Sequence, residues 1–306
     1  MGMLDEFRRA AGRAPGPLGP VLDVGVSTAS DWVNLFRGTP QAQDIDEWDP
    51  EYIGKSLPVL GALFDAYFRP DVTGLENIPE AGPALLVGNH SGGTMIADTF
   101  VFAVEFYRRF GPERRFHQLA HDVAVGLPTI GTMIRRYGTL SASHDNARKA
   151  FHKGAPVLVY PGGDYESFRP SWHSDQIEFG GRTGFIELAL DEQVPLVPVV
   201  AIGGQETGLF LTRGQRLARV LMLDRLLRIK VLPVVIGPPY GVSLLDLPMP
   251  RIPLPAKITV KVLTPIDLRA RFGEDPDRDE VYEEVTGEMQ RALDELAEER
   301  DLPVIG

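Results

Sequence analysis

The sequence predicts an α/β fold with a mostly parallel central sheet flanked by helices and an N-terminal helical arm. From Pro83 onward, short apolar runs alternate with amphipathic helical stretches, a pattern typical of a parallel sheet covered by helices. Two glycine-containing loops directly follow apolar runs. With 306 residues, 43% of them hydrophobic, the chain is long enough to bury one large core.

Six apolar runs are the predicted strands: 84–88, 116–120, 156–160, 196–202, 231–237 and 257–263. Helices are predicted over 96–109, over 183–193, and from an N-cap at Ser143 to His152, just before a glycine. A C-terminal helix follows, because apolar residues recur on one face of it, opposite an acidic face. Those residues are Val281, Val285, Met289, Leu293 and Leu296.

We expect three segments: an irregular or helical arm over 1–69, a catalytic domain over 70–270, and an acidic C-terminal helix over 271–306 packed on that domain. Within the arm, residues 51–69 carry apolar side chains at roughly helical spacing. That spacing fits a helix packed on the core, and it also fits a helix lying on a membrane.

Composition excludes several classes of protein. The chain contains no cysteine, which excludes a disulfide scaffold, a thiolate metal site and a cysteine nucleophile. The formal net charge of −11 argues against nucleic acid as a partner. Residues 274–301 alone carry a net charge of −10, so the body of the protein is nearly neutral. The motifs G-x-S-x-G, Walker A and G-x-G-x-x-G do not occur, so the usual serine hydrolases, nucleotide hydrolases and dinucleotide enzymes are not indicated.

No secretory signal begins the sequence, and no run of about 20 apolar residues predicts a spanning helix. We therefore expect a cytoplasmic protein, peripheral on the inner face of a membrane if it acts on lipid. Two histidines four residues apart, His117 and His121, fall where a strand is expected and have no third ligand nearby. No metal site is predicted.

The first loop, GNHSGGTMIAD over residues 88–98, carries the strongest catalytic candidate, His90. It follows a predicted strand, where α/β folds gather their chemistry. A neutral imidazole can take a proton from an alcohol that attacks a carbonyl. Asp98 would accept a hydrogen bond from the other ring nitrogen and fix the tautomer. Alternatively, His90 completes a strand-to-helix turn and has no chemical role.

The second loop, PGGDYESFRP over residues 161–170, also follows a predicted strand. The backbone N–H groups of Gly162 and Gly163 would stabilise an oxyanion or a phosphate. Glu166 and Arg169 would position an acceptor. A tight turn with solvated charges is the alternative.

Four blocks in order resemble the glycerolipid acyltransferase superfamily, over roughly residues 70–265. They are VGNHSGGTMIAD, RRYGTLSASHDNARKAF, VLVYPGGDYESF and GGRTGFIELALDEQVPLVPVVAIGG. The branch of diacylglycerol acyltransferase-like and phytyl-ester-synthase-like proteins is the most similar, because P-G-G-x-x-E replaces F-P-E-G-T. The resemblance implies transfer of a fatty acyl group to a lipid hydroxyl with His90 and Asp98 as catalytic residues. It places the following residues at the substrate: Asn89, Ser91, Gly92, Gly93, Pro161, Gly162, Gly163, Glu166, Arg169 and Arg182.

The chain departs from the family pattern at three positions. Met95 stands where H-x4-D has its acid, and Asp98 is the first acid after it. The second block usually carries a phosphate-binding arginine, but here the nearest is Arg148. Gly163 replaces the glutamate of F-P-E-G-T. These departures favour a neutral acceptor, such as diacylglycerol or a long-chain alcohol, over a phosphorylated one.

The resemblance implies no cofactor, because acyl-CoA or an acyl carrier protein enters as a co-substrate. A membrane surface is the other expected partner, through the basic amphipathic segment 213–230, which has a net charge of +5. An ordinary surface helix and a site for the phosphates of CoA are alternatives for that segment.

Two other functions compete with acyl transfer. In a lipid ester or thioester hydrolase, water would replace the acceptor hydroxyl at His90. In a non-catalytic lipid-binding relative, Met95 would mark the loss of the acid.

Overall fold

A seven-stranded sheet lies at the centre of the computed structural model, which describes residues 45–94, 96–126, 130–222, 231–239, 241–244 and 251–300. The strands of this sheet are β1 (Asp71–Thr73), β2 (Leu85–Gly88), β3 (His117–Ala120), β4 (Thr139–Ser141), β5 (Val157–Val159), β6 (Leu196–Ile202) and β10 (Thr259–Val262). Their order across the sheet is β1-β10-β6-β2-β5-β3-β4. Neighbouring strands run parallel except for β10 and β6. The predicted fold class is confirmed.

Helices cover both faces of this sheet. The described helices are α1 (Pro50–Phe68), α2 (Ala97–Phe110), α3 (Asp122–Gly126), α4 (Ile130–Arg136), α5 (His144–His152), α6 (Gly163–Ser167), α7 (Gly184–Glu192), α8 (Gln215–Val220), α9 (Leu268–Phe272) and α10 (Arg278–Glu298). Successive strand residues point to opposite faces, so Leu85 and Val87 pack with α5, α7 and α10, whereas Leu86 packs with α1 and α2. The result is a helix–sheet–helix sandwich with one core on each side of the sheet.

The local sequence signals place most of these elements where they were predicted. The Ser143 side chain accepts a hydrogen bond from the Asn146 N–H and caps α5. The five apolar residues predicted for the C-terminal helix are all buried on α10. In α1, Ile53 and Phe68 are buried in the core. The proposed boundaries at 69 and 270 stay predictions, and residues 1–44 and 301–306 lie outside the described residues.

A second, smaller sheet was not predicted. It is antiparallel, with the order β7-β8-β9, and consists of β7 (Leu209–Thr212), β8 (Val234–Gly237) and β9 (Gly241–Leu244). The apolar run 231–237, expected as a core strand, supplies β8. An apolar run predicts a strand but does not name its sheet, because its partners are set by pairing far along the chain.

No helix of the described part of the chain is long and apolar enough to cross a bilayer.

The parallel pairing of β2 with β5 positions the site. Because both strands run in the same direction, their carboxyl ends meet at one edge of the sheet. The loop after β2 begins at Asn89, and the loop after β5 begins at Tyr160. The two glycine-containing loops singled out by sequence therefore lie side by side.

Candidate active site

Asn89 anchors the start of the first loop. Its side-chain amide accepts a hydrogen bond from the Ala201 N–H at 2.7 Å and donates to the Ala201 carbonyl at 2.8 Å. The side chain is buried, and both of its polar atoms are bound by the neighbouring strand β6. Asn89, predicted as a substrate contact, thus ties the loop to the sheet.

The ring of His90 is held by packing rather than by hydrogen bonds. It stacks on the ring of Tyr160, with centroids 4.3 Å apart and an interplanar angle of 17°. Nδ1 is enclosed and has no hydrogen-bond partner among the described residues. Burial, together with the nearby positive charge of Arg169, lowers the pKa of His90 to about 3. The imidazole is therefore neutral at physiological pH, and Nε2 is the nitrogen left to meet a bound hydroxyl.

Asp98 does not hold this imidazole in the structure. Its carboxylate accepts hydrogen bonds from the Ser91 hydroxyl at 2.9 Å, the Ser91 N–H at 3.2 Å and the Thr99 N–H at 2.8 Å. Asp98 lies in the first turn of α2, three residues beyond the usual position of the acid, and there it faces the backbone after the histidine. Burial raises the pKa of Asp98 to about 6, although the hydrogen bonds from Ser91 and Thr99 oppose this. The predicted tautomer-fixing contact is replaced by a contact that fixes the loop.

Glu166 and Arg169 clamp the backbone of His90. Glu166 Oε2 accepts from the His90 N–H at 2.9 Å, and Arg169 Nη1 donates to the His90 carbonyl at 3.0 Å. Glu166 Oε1 also accepts from the Glu178 N–H, and the two charged side chains approach within 3.5 Å of each other. Both are fully buried. Burial raises the pKa of Glu166 to about 7, against the opposing effect of Arg169.

This clamp explains the residues of the second loop. A Cβ at Gly162 would lie 2.4 Å from a carboxylate oxygen of Glu166, so only glycine lets the carboxylate reach His90. The contacts of Glu166 and Arg169 are with protein groups. The structure brings both residues to the site, but as its wall rather than on its open surface.

Most of the backbone N–H groups at the glycines of the two loops, and at Ser91 beside them, already have acceptors. The N–H groups of Ser91, Gly92 and Gly93 donate to Asp98, to the Gln205 side chain and to the Ser167 carbonyl, respectively. The Gly163 N–H donates to the Tyr160 carbonyl. Of these N–H groups, that of Gly162 has no acceptor among the described residues, so it remains available to a developing oxyanion.

Three residues that shape the site were missed by sequence reasoning. Tyr160 supplies the surface on which the imidazole stacks. Gln205 and Arg251 bind the N–H and the carbonyl of Gly92, at 3.1 and 3.0 Å. The aromatic residue before P-G-G was the available signal for Tyr160. Arg251 offered none, because it reaches the loop from 159 positions away.

A pocket of about 240 Å³ opens beside the second loop, at the carboxyl ends of β3 to β5. Tyr160, whose ring stacks on His90, is one of the residues that line it. Its lining residues are Leu119, Ala142, Ser143, His144, Val159, Tyr160, Pro161, Arg182, Gly184, Phe185 and Leu188. Most are apolar, and Arg182 donates from Nη1 to the Pro161 and Gly162 carbonyls at 2.8 Å each. Pro161 and Arg182, predicted at the substrate, therefore do meet at a pocket.

Two other predicted features lie apart from the pocket. Arg148 forms ion pairs with Asp191 and Glu192, so its charge is already matched. Of the basic segment, residues 213–222 are described and 223–230 lie outside the described residues.

No group of three His, Asp or Glu side chains suited to a metal ion occurs in the described part of the chain.

Comparison with known proteins gives consistent results. Residues 69–202 match the Acyltransferase family model. An uncharacterized protein of Mycobacterium tuberculosis is 28% identical over 295 residues, which are 95% of this chain and 79% of the relative. A human protein described as a DGAT1/2-independent enzyme synthesizing storage lipids is 28% identical over 129 residues, 42% of this chain and 38% of that protein. The crystal structure of the 1-acyl-sn-glycerophosphate acyltransferase PlsC from Thermotoga maritima shares the fold, with a TM-score of 0.53 at 16% identity over 83% of each chain.

Proposed function

The chain belongs to the glycerolipid acyltransferase superfamily, and from this premise we propose that it transfers a fatty acyl group from a thioester to a lipid hydroxyl, with His90 as general base. The donor is acyl-CoA or an acyl carrier protein. The single observation that carries the proposal is the state of His90: a neutral imidazole, free of side-chain hydrogen bonds within the described residues, at the carboxyl edge of the sheet.

The chemistry follows from that state. His90 Nε2 takes the hydroxyl proton as the acceptor oxygen attacks the thioester carbonyl, and the Gly162 N–H stabilises the oxyanion. The C–S bond then breaks, and the imidazolium returns its proton to the leaving thiolate. Burial lowers the pKa of His90 to about 3, which keeps the imidazole unprotonated and makes the imidazolium a ready proton donor to the thiolate, although it also makes the imidazole a weaker base. Such positioned proton transfer typically contributes about 10²–10⁴ in rate.

The pocket supports a neutral acceptor, such as diacylglycerol or a long-chain alcohol, ahead of a lysophospholipid. The pocket's cationic side chain, Arg182, is bound to two carbonyls and lies 3.5 Å from Asp164. Arg148, the arginine nearest to the phosphate-binding position of the family, is neutralised by acids of α7. The human relative described as synthesizing storage lipids supports the same choice.

A lipid acceptor resides in a bilayer, so the proposed reaction needs a membrane surface. We place the protein on the cytoplasmic face of a membrane as a peripheral protein. The basic residues of the segment 213–230 support this placement, because each cation near an anionic surface contributes about 1 kcal/mol.

The decisive experiment is acyl transfer from labelled palmitoyl-CoA to vesicles containing diacylglycerol, long-chain alcohol, lysophosphatidate or lysophospholipid. We expect a labelled ester from the wild type and a loss of about 10²–10⁴ in rate for His90→Ala. His152→Ala is the matched control, because that histidine lies on the surface at the end of α5, and its transfer should be unchanged.

Three outcomes would contradict the proposal. Equal transfer by wild type and His90→Ala would exclude His90 as the base. Free fatty acid formed at the same rate with and without acceptor would indicate the hydrolase. Lipid binding without turnover by either protein, with acyl carrier protein also tried as donor, would indicate the binding relative.

A further inference from the structure

The second sheet exposes an apolar outer face. Its inward residues, Phe210 on β7, Val235 on β8 and Ser243 on β9, are buried. The residues that alternate with them on β7 and β9 are apolar and exposed; we call them the outer face, and they are Leu209, Leu211, Val242 and Leu244. An antiparallel sheet that faces water normally carries polar residues on that side. An apolar outer face therefore indicates a surface with a partner.

An exposed tryptophan stands beside this face. The Phe210 N–H donates to the Ser171 hydroxyl at 2.9 Å, which joins the short helix Ser171–His173 to β7. Trp172, in the middle of that helix, is 62% exposed. Tryptophan concentrates at the boundary between lipid and water, because its ring is apolar and its N–H is polar.

The helix that follows β7 adds positive charge. Arg216 and Arg219 on α8 are exposed and form no ion pair with any described residue. On the same short helix and just after it, Val220 and Leu221 are also exposed. Exposed arginines next to exposed apolar side chains match an anionic lipid surface, where the cations meet headgroups and the apolar groups enter the interface. The chain as a whole is acidic, so these cations are not part of a general positive charge.

Strand β7 carries part of the outer face on one side and contacts the loop of His90 with its other side. A Cβ at Gly93 would lie 2.7 Å from the ring of Phe210, so the inner side of β7 touches the loop of His90 directly. Arg251 lies over the same ring, 4.7 Å from its centroid, and donates to the carbonyl of Gly92. Binding at the outer side of β7 would hold the catalytic loop close to the bound surface.

We propose that the protein docks on an anionic bilayer through the outer face of the second sheet, with Trp172 at the interface and the arginines of α8 on the headgroups. The choice of a lipid surface rests on the proposed function. The outer face and Trp172 were not among the sequence-based expectations for membrane contact, which named the arm and the basic segment 213–230, to which α8 belongs.

Vesicle flotation, without any acyl donor, tests this proposal. Phosphatidylcholine vesicles with and without phosphatidylglycerol are mixed with wild type and with Val242→Asp/Leu244→Asp. The matched control is Val59→Asp/Leu63→Asp on α1, whose side chains are similarly exposed, at 45% and 55% against 66% and 45%. Both double variants change the net charge equally, so only the position differs.

We expect the sheet variant to bind at least about tenfold more weakly, because two apolar side chains no longer enter the interface. The control should bind like the wild type. Arg216→Ala and Arg219→Ala should each weaken binding about fivefold, and only to vesicles that contain phosphatidylglycerol. If the aspartate pair prevents folding, Val242→Thr/Leu244→Thr places β-branched residues, which favour strands, at both positions and tests the same contact.

Quenching by brominated lipid adds a second measurement. Brominated phosphatidylcholine should quench the fluorescence of the wild type, and Trp172→Phe should remove most of that quenching. Loss of binding in the α1 control but not in the sheet variant would overturn the proposal in favour of the arm. A wild-type dimer that the sheet variant converts to monomer would overturn it in favour of a second copy of the chain.

The outcomes separate this proposal from the proposed function. Vesicle binding without turnover would support the docking surface and contradict the proposed acyl transfer. Turnover on detergent-solubilised acceptor, with no vesicle binding by the wild type, would overturn the docking surface alone.

Discussion

The protonation state of His90 makes a quantitative prediction about stability, tested by replacing it with glutamine. In the folded protein the pKa of His90 is about 3, against 6.5 for an unperturbed histidine. Between those two values the unfolded chain binds a proton that the folded chain excludes. Unfolding is therefore favoured as the pH falls through this range. His90→Gln cannot take up the proton and should not share this loss.

The magnitude follows from the size of the shift. One pKa unit corresponds to about 1.36 kcal/mol, so lowering the pH from about 6.5 to about 4.5 would cost the wild type at most about 2.7 kcal/mol at this site. His90 as a whole is partly exposed, and solvent screening reduces this to about 1 to 2 kcal/mol. Near pH 8 the two proteins should differ by less than about 1 kcal/mol, because the substitution removes one ring stack and no ring hydrogen bond.

Urea unfolding at a series of pH values, followed by circular dichroism, measures the difference. Folding raises the pKa of Asp98 from 3.8 to about 6 and that of Glu166 from 4.5 to about 7. Each of these carboxyl groups therefore stabilises the folded protein less as the pH rises through its interval. Both groups are present in both proteins, and their contribution cancels in the comparison. Parallel curves from pH 8 to about 4.5 would refute the reasoning. They would mean that the folded state accommodates a charged imidazole, as it would if Asp98 turned to meet the ring.

Three further substitutions test the construction of the site. Glu166→Gln replaces one acceptor oxygen by a donor, so a buried backbone N–H loses its partner. Urea unfolding should show a loss of about 1–3 kcal/mol and the transfer rate should fall; unchanged values would contradict the clamp. Gly93→Ala, at φ +68 and in contact with Phe210, should cost about 2–5 kcal/mol, against about 1–2 for Gly82→Ala, which has φ +83 and open space. Arg148→Ala should leave the KM for a neutral acceptor unchanged, and a large increase would show that this arginine reaches the substrate.

The centre of the sheet was predictable because strands β2 and β6 are buried on both faces. Runs such as 84–88 and 196–202 are continuously apolar, and each continuous run predicts a strand without reference to any partner. The direction of a strand and the sheet to which it belongs could not be predicted in this way. β10 is antiparallel to β6 and β8 lies in another sheet, yet their sequences look like those of the parallel strands. Strands β1 (DVT) and β4 (TLS) have three residues each, of which one is apolar, so no apolar run marks them.

At the site, as in the sheets, the sequence predicted which residues matter but not what they contact. His90, Asp98 and Glu166 were recognisable from residue type and motif, but their partners were not. Asp98 was expected to hold the imidazole and instead holds Ser91. Glu166 was expected at the substrate and instead binds the His90 N–H from 76 positions away. A motif specifies which side chains are brought together, whereas the folded geometry decides which atoms meet.

Hydrogen bonds fix the backbone of His90 and packing orients its ring, an arrangement that suits an acyltransferase. Glu166 and Arg169 bind the N–H and the carbonyl of the histidine, so its backbone is fixed by two contacts to buried charged groups. The ring is oriented by a stack on Tyr160, which directs no hydrogen bond to either nitrogen. Burying an ion pair seldom adds net stability, but it does impose position. The protein thus fixes the position of the base and leaves Nε2 available for the proton that is transferred.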